Sequence, residues 1–110
     1  MRMRRAAATL ALALVAGPVA YAGDAERVEA GRRLYVSACQ RCHGINLVTN
    51  GIGFDLRTFP PNDKERFVRS VTEGVRAMPA WGTTLKRDQL DLLWAYLGAV
   101  NGWEAWAAPR

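Results

Sequence analysis

Cys39-Gln40-Arg41-Cys42-His43 contains both cysteines and the only histidine in this chain of 110 residues. Two thiols three positions apart, followed at once by an imidazole, suit one chemistry above others. Each thiol adds across one vinyl group of a haem, and the adjacent imidazole binds the iron axially. Two thioether bonds hold the porphyrin edge against a single helical turn, which places His43 within reach of the metal. Cys39 and Cys42 are therefore the expected covalent anchors of one haem c, and His43 the first axial ligand.

The competing uses of Cys-x-x-Cys fit less well. A structural zinc site needs four ligands, usually completed by a second Cys or His pair, and no other cysteine or histidine is present. A thioredoxin-like redox pair belongs at a helix start within a βαβ pattern, and no alternating β-branched run flanks this motif. A short-loop disulfide gives His43 no role.

The N-terminus reads as an export signal. Met1-Arg2-Met3-Arg4-Arg5 is basic, residues 6–15 are apolar, and Ala20-Tyr21-Ala22 is a small-x-small stretch. That three-part layout predicts cleavage after Ala22. The apolar run is short of a bilayer span and is broken by Gly17 and Pro18, so no transmembrane segment is expected in the mature chain. The expected organisation is residues 1–22 as secretory signal peptide, 23–102 as one domain and 103–110 as a C-terminal tail. The expected location is the periplasm, where vicinal thiols meet an oxidising environment.

Removing residues 1–22 leaves a domain too small to be comfortably stable without a staple. A flat, largely apolar haem would serve as staple and as core. The formal charge of +5 also shrinks, because Arg2, Arg4 and Arg5 leave with the signal; 12 basic residues then face 10 acidic ones. That balance removes the electrostatic basis for binding nucleic acid.

Helical periodicity covers most of the rest. Val28, Gly31, Tyr35 and Ala38 share one face of a helix over residues 24–38, and Gly31 on that face permits close approach of another helix. Residues 44–61 form a long loop. Asn62-Asp63-Lys64-Glu65 predicts a capping box with Asn62 as N-cap, opening a helix that buries Phe67, Val68 and Val71 and stops at Gly74. A last helix is predicted from about Leu85 to Val100. Its Leu90, Leu93, Trp94 and Leu97 form one apolar row and Leu92, Tyr96 and Val100 a second, so it needs two partners.

The second axial ligand follows by elimination and position. Met1 and Met3 leave with the signal, so Met78 is the only methionine of the mature chain. It lies in a loop 35 residues beyond His43, directly before Pro79, where core filler is not expected. A thioether opposite the imidazole raises the reduction potential and leaves no coordination position for substrate.

With these pieces in place the chain resembles the class I c-type cytochromes over residues 24–100. The matching strings are Gly31-x-x-x-Tyr35, Cys39-Gln40-Arg41-Cys42-His43-Gly44, Gly74-x-x-x-Met78-Pro79-Ala80-Trp81-Gly82 and Leu93-Trp94-Ala95-Tyr96-Leu97. The resemblance implies an all-α fold of three main helices, with loops wrapped around one covalent haem. It implies a crossing of the first and last helices near Gly31 and Tyr96, with Cys39 and Cys42 as anchors and His43 and Met78 as axial ligands. Where the family commonly has Gly-Pro-x-Leu, this chain reads Gly53-Phe54-Asp55-Leu56. Phe54 still offers a carbonyl to the axial histidine but lacks the fixed φ of proline. Asp55-Leu56-Arg57-Thr58-Phe59-Pro60 with Met78-Pro79-Ala80-Trp81 is similar to the small periplasmic cytochromes that serve quinoprotein alcohol dehydrogenases.

The expected function is one-electron transfer, not enzymatic catalysis. The expected partners are a dehydrogenase or membrane complex as donor and an oxidase or another cytochrome as acceptor, met by transient docking. Two alternatives stand beside it. One is a haem enzyme or gas-binding protein with an open sixth position. The other is a tightly bound cytochrome subunit of a quinoprotein dehydrogenase, for which Trp103 and Trp106 would be docking groups unless the tail folds back on its own domain.

Overall fold

A computed structural model describes residues 23–104, together with Met3 and residues 6–9. The expected signal peptide and its cleavage point lie largely outside the described residues, as does Trp106. Within 23–104 the chain forms four α-helices: α1 (Asp24–Ala38), α2 (Gln40–His43), α3 (Lys64–Glu73) and α4 (Arg87–Asn101). Two single 3-10 turns, Ile45–Leu47 and Leu56–Thr58, punctuate the loop between α2 and α3. No strand is present among the described residues, in keeping with the all-α expectation.

The α1 and α4 helices form the frame. Asp24 and Glu26 stand in the first turn of α1, where negative charge complements the helix dipole. Its buried residues, Ala30, Gly31 and Tyr35, face α4. A Cβ on Gly31 would lie 2.0 Å from the Leu92 carbonyl oxygen and 3.0 Å from the Tyr96 Cβ. The two backbones are therefore in contact at this point, and only a residue without a side chain fits. One turn later the Tyr35 and Tyr96 rings pack with centroids 5.1 Å apart.

The α4 helix is buried from Leu92 to Gly98 without interruption, which makes it the axis of the domain. Its second partner is aromatic. Trp94 meets Phe59 edge-on at 5.9 Å and Phe67 of α3 at 5.3 Å. Fully burying side chains such as Leu93 and Leu97 is worth about 1.5–3 kcal/mol each. At the other end of α4, the Trp103 N–H donates to the Gly98 carbonyl and its ring lies 4.7 Å from Trp94. Trp103 thus covers its own domain.

Two helix starts differ from the sequence reading. Asp63, not Asn62, caps α3, its carboxylate accepting the Arg66 N–H at 3.2 Å. Both residues are good caps. The turn after Pro60-Pro61, closed by the Asp63 N–H on the Pro60 carbonyl, leaves Asn62 one position short. The last helix begins at Arg87, with Lys86 as N-cap and its N–H donated to the Gln89 side chain. Leu85 is buried just ahead of it, in a turn closed by its own N–H on the Trp81 carbonyl.

Candidate functional site

The motif Cys39–His43 occupies the bend between α1 and α2. The Cys39 N–H still donates to the Tyr35 carbonyl as part of α1, and the His43 N–H donates back to Cys39 at 3.0 Å. Both cysteines are free thiols; Cys39 is half-buried and Cys42 exposed. Burial, helped by the neighbouring Cys42, pushes the Cys39 thiol up to about 11. Gly44 ends α2 at φ +88°, a backbone region that favours glycine. Its carbonyl accepts the Tyr35 hydroxyl, which ties the end of the motif back to α1.

His43 is held from one side. Its Nδ1 lies 2.9 Å from the Phe54 carbonyl oxygen. A carbonyl can only accept, so Nδ1 carries a proton, and Nε2 is the ring nitrogen left to face a metal. Phe54 lacks the fixed φ of proline, yet the bond is formed at ordinary length.

The segment that presents Phe54 is laced to the motif. The Asn50 side-chain amide donates to the Arg41 carbonyl, and the Gly53 N–H donates to the Cys42 carbonyl at 2.8 Å. Asn50 Oδ1 accepts the Ile52 N–H, and the Thr49 hydroxyl accepts the Gly51 N–H while donating to the Gly53 carbonyl. Neither Thr49 nor Asn50 was singled out from sequence. Both are turn-forming residues between glycines, which was the one available signal.

A few residues earlier, Asn46 and Leu47 adopt left-handed backbone conformations at φ 53° and 66°. Such geometry is uncommon for leucine. It is held by full burial of the Leu47 side chain and by the Arg57 guanidinium, which donates to the Asn46 carbonyl.

Met78 lies in a tight turn after α3, well away from the motif in sequence. Gly74 at φ +79° and Arg76 at φ +53° reverse the chain, and Val75 and Met78 exchange both backbone hydrogen bonds, at 2.9 and 3.2 Å. The next residues are pinned to α3: the Trp81 N–H donates to Val71 and the Gly82 N–H to Thr72. Met78 and Cys39 are each half-buried against the same hydrophobic core. Fold and sequence therefore bring both thiols and the imidazole together in one turn, with the Met78 thioether on a separate, braced loop.

The donor set fits a haem on chemical grounds: two free thiols, an imidazole with its outer nitrogen proton-bound, and a thioether. The surface fits as well. Ile52, Phe54 and Val75 stand 72%, 51% and 48% exposed, on the two loops that carry the His43 partner and Met78. Apolar side chains this open in so small a domain suit a flat apolar group.

A second apolar area borders the motif. Val36, Ile45 and Val48 are exposed around an open hollow of about 560 Å³ that Gln40 and Arg41 also line. No acidic residue occurs between Arg32 and Phe54, so this face carries only positive side-chain charge in its own sequence.

Comparison with known proteins finds relatives over most of the described residues. A family model described as cytochrome c oxidase, cbb3-type, subunit III matches residues 26–97. The quinohaemoprotein alcohol dehydrogenase ADH-IIG of Pseudomonas putida is 33% identical over 82 residues, covering 73% of this chain. This chain spans only 11% of that dehydrogenase, and likewise 11% of the related ADH IIB, to which it is 31% identical. Cytochrome c6 of Gloeothece citriformis (strain PCC 7424) is 34% identical over 91 residues, covering 76% of this chain and 80% of the relative. No solved structure matches the chain significantly.

Proposed function

Since this chain belongs to the class I c-type cytochromes, haem proteins of electron transfer, we propose that it is a periplasmic one-electron carrier with a single His/Met-ligated haem c. Cys39 and Cys42 anchor the haem covalently, and His43 and Met78 are the axial ligands. When bound, the haem supplies a one-electron ferric/ferrous couple. The protein's own residues set how that couple behaves.

The observation that carries this reading is the His43–Phe54 contact. It orients the imidazole, fixes the proton on Nδ1 and strengthens Nε2 as a donor. Met78, on a turn closed by paired backbone bonds and braced to α3, is suited to hold a sixth position shut. A filled sixth position favours electron transfer over substrate binding. The tight packing of α1 on α4 favours it too, because a scaffold that moves little between redox states keeps reorganisation small.

On this reading the partners are a dehydrogenase or membrane complex as donor and an oxidase or cytochrome as acceptor. The apolar hollow beside Gln40 and Arg41 suits brief docking, since redox encounters use small interfaces. Export through the N-terminal signal would place the protein in the periplasm, with a mature chain starting near Gly23. Among the described residues no helix is long and apolar enough to cross a membrane.

Optical and magnetic spectroscopy of the purified oxidised protein tests the ligation. A low-spin ferric spectrum with a sulfur-to-iron charge-transfer band is expected, with no carbon monoxide uptake after reduction. Rapid carbon monoxide binding at neutral pH would instead favour the gas-binding or peroxidase alternative. The likeness to the two quinohaemoprotein dehydrogenases favours a second reading, a cytochrome unit held by such an enzyme. Trp103 is half-buried and packed on Trp94, so part of its ring is already taken up by its own domain.

A further inference from the structure

We infer that Thr49 is a positioning residue for His43, its hydroxyl taking over the task that a proline at position 54 would perform by its ring. The inference rests on His43 being an iron ligand, as proposed above. The Phe54 carbonyl must point at Nδ1, and its direction depends on the φ angle of Phe54. Proline locks that angle covalently. Phe54 has no such lock, yet the bond to His43 is 2.9 Å.

The structure clamps what lies on either side of the free angle. Before it, two bonds hold the chain: the Thr49 hydroxyl donates to the Gly53 carbonyl, which belongs to the 53–54 peptide itself, at 2.9 Å, and the Gly53 N–H, in the peptide before it, donates to Cys42. After it, Asp55 is held in a turn, its carboxylate accepting the Arg57 N–H and its carbonyl accepting the Thr58 hydroxyl. The Phe54 ring meets Phe59 edge-on at 6.4 Å, with the Arg66 guanidinium 5.9 Å above it. Of these holds, only Thr49 bridges the start of the loop to the peptide bearing Phe54. Gly53 itself has no room for a side chain, since a Cβ would lie 2.9 Å from His43 Nδ1. The peptide therefore lies against the imidazole, and a small rotation of it alters the hydrogen bond directly.

The bond from Nδ1 to a carbonyl raises the basicity of the imidazole and so favours ferric iron. Loosening it should raise the reduction potential. The test uses the holoprotein with Thr49→Val, which keeps the shape and removes the hydroxyl, and Thr49→Ser, which keeps the hydroxyl. Asn101→Ala, which removes a side-chain bond from α4 to the Leu56 carbonyl of the same long loop, controls for general loop loosening. Two quantities are measured: the reduction potential and the hydrogen-exchange rate of the His43 Nδ1 proton by NMR. Thr49→Val is expected to raise the potential and speed exchange roughly five- to tenfold, the equivalent of losing one hydrogen bond. Thr49→Ser and Asn101→Ala should stay near wild type. If Thr49→Val yields no holoprotein, Thr49→Ala gives the same comparison with less crowding. Unchanged potential and exchange in the hydroxyl-free variant, with an intact low-spin wild-type spectrum, overturn the role of Thr49 alone. A wild type without His-ligated iron overturns the ligation reading and this inference together.

Discussion

His43 Nδ1 and the Phe54 carbonyl oxygen lie 2.9 Å apart, although Phe54 stands where related sequences commonly place proline. The hydrogen bond survives because its geometry is set by a network and not by one ring. Asn50 on Arg41, Gly53 on Cys42 and Phe54 on His43 bind three consecutive motif residues to one short loop. A site assembled in this way is stiff in the folded protein but depends on several weak bonds at once.

Met78→Ala should open the sixth position without releasing the haem, because both thioethers and His43 remain. The reduction potential should fall by on the order of 0.1–0.3 V, within the roughly 0.8 V range that axial ligands span. The reduced variant should bind carbon monoxide while the wild type does not. Potentiometry and carbon monoxide difference spectra check both statements. An unchanged potential would remove Met78 from the ligand set.

Cys39→Ala with Cys42→Ala should abolish covalent attachment. Haem should then extract into acidified acetone, whereas in the wild type it stays with the protein. The variant should also be far less stable, since a domain this small depends on its cofactor as part of the core.

The α1–α4 crossing was legible because Gly31 sits on an apolar helix face and the last helix carries two apolar rows. The pentapeptide and Met78 stood out as candidates because cysteine, histidine and methionine are rare in this chain. The 15 residues of α1 were read to the boundary because Gly23 and the Cys39 bend both break the pattern. Caps were less legible. Asn62 and Asp63 are equally able to cap, and the choice was made by the path of Pro60-Pro61. The support of His43 was not legible either, because bonds from Thr49 and Asn50 to backbone atoms depend on how a glycine-rich loop closes. Left-handed Leu47 was equally hidden, since only its burial and the grip of Arg57 on Asn46 make that conformation worthwhile.

Gly31→Ala should be severe despite adding one methyl group. That Cβ would lie 2.0 Å from a backbone oxygen of α4, and neither helix can yield without unpacking Tyr35 from Tyr96. A loss of about 3 kcal/mol is expected, at the upper end for overpacking. For a domain of this size that is a drop in Tm of roughly 12–24 °C. Gly23→Ala, with nothing within 4 Å of its added Cβ, should cost no more than about 1 kcal/mol, through a poorer N-cap for α1. Thermal melts of the two variants separate close approach from a general aversion to replacing glycine.

Alkaline pH should destabilise the fold through Tyr35. Burial pushes its hydroxyl up to about 12 from an ordinary 10.0, with Tyr96 and Cys39 adding in the same direction and a backbone hydrogen bond opposing. Tyr96 is raised as well, by burial, against the opposing Arg32 and Arg57. A raised folded value means the native state holds its proton more tightly than the unfolded chain does. The resulting stability is fully present below pH 10 and is lost as pH rises through about 12. The decline from Tyr35 should approach at most about 1.4 kcal/mol per pH unit within that window. Tyr35→Phe should cost about 1–3 kcal/mol at neutral pH, because the buried Gly44 carbonyl loses its donor. Above pH 10 the variant should lose stability less steeply than the wild type, with Tyr96 supplying what slope remains. Denaturant unfolding at pH 8, 10 and 11.5, followed by far-ultraviolet circular dichroism, distinguishes the two proteins. Parallel slopes would mean that ionisation of Tyr35 plays no part in alkaline unfolding.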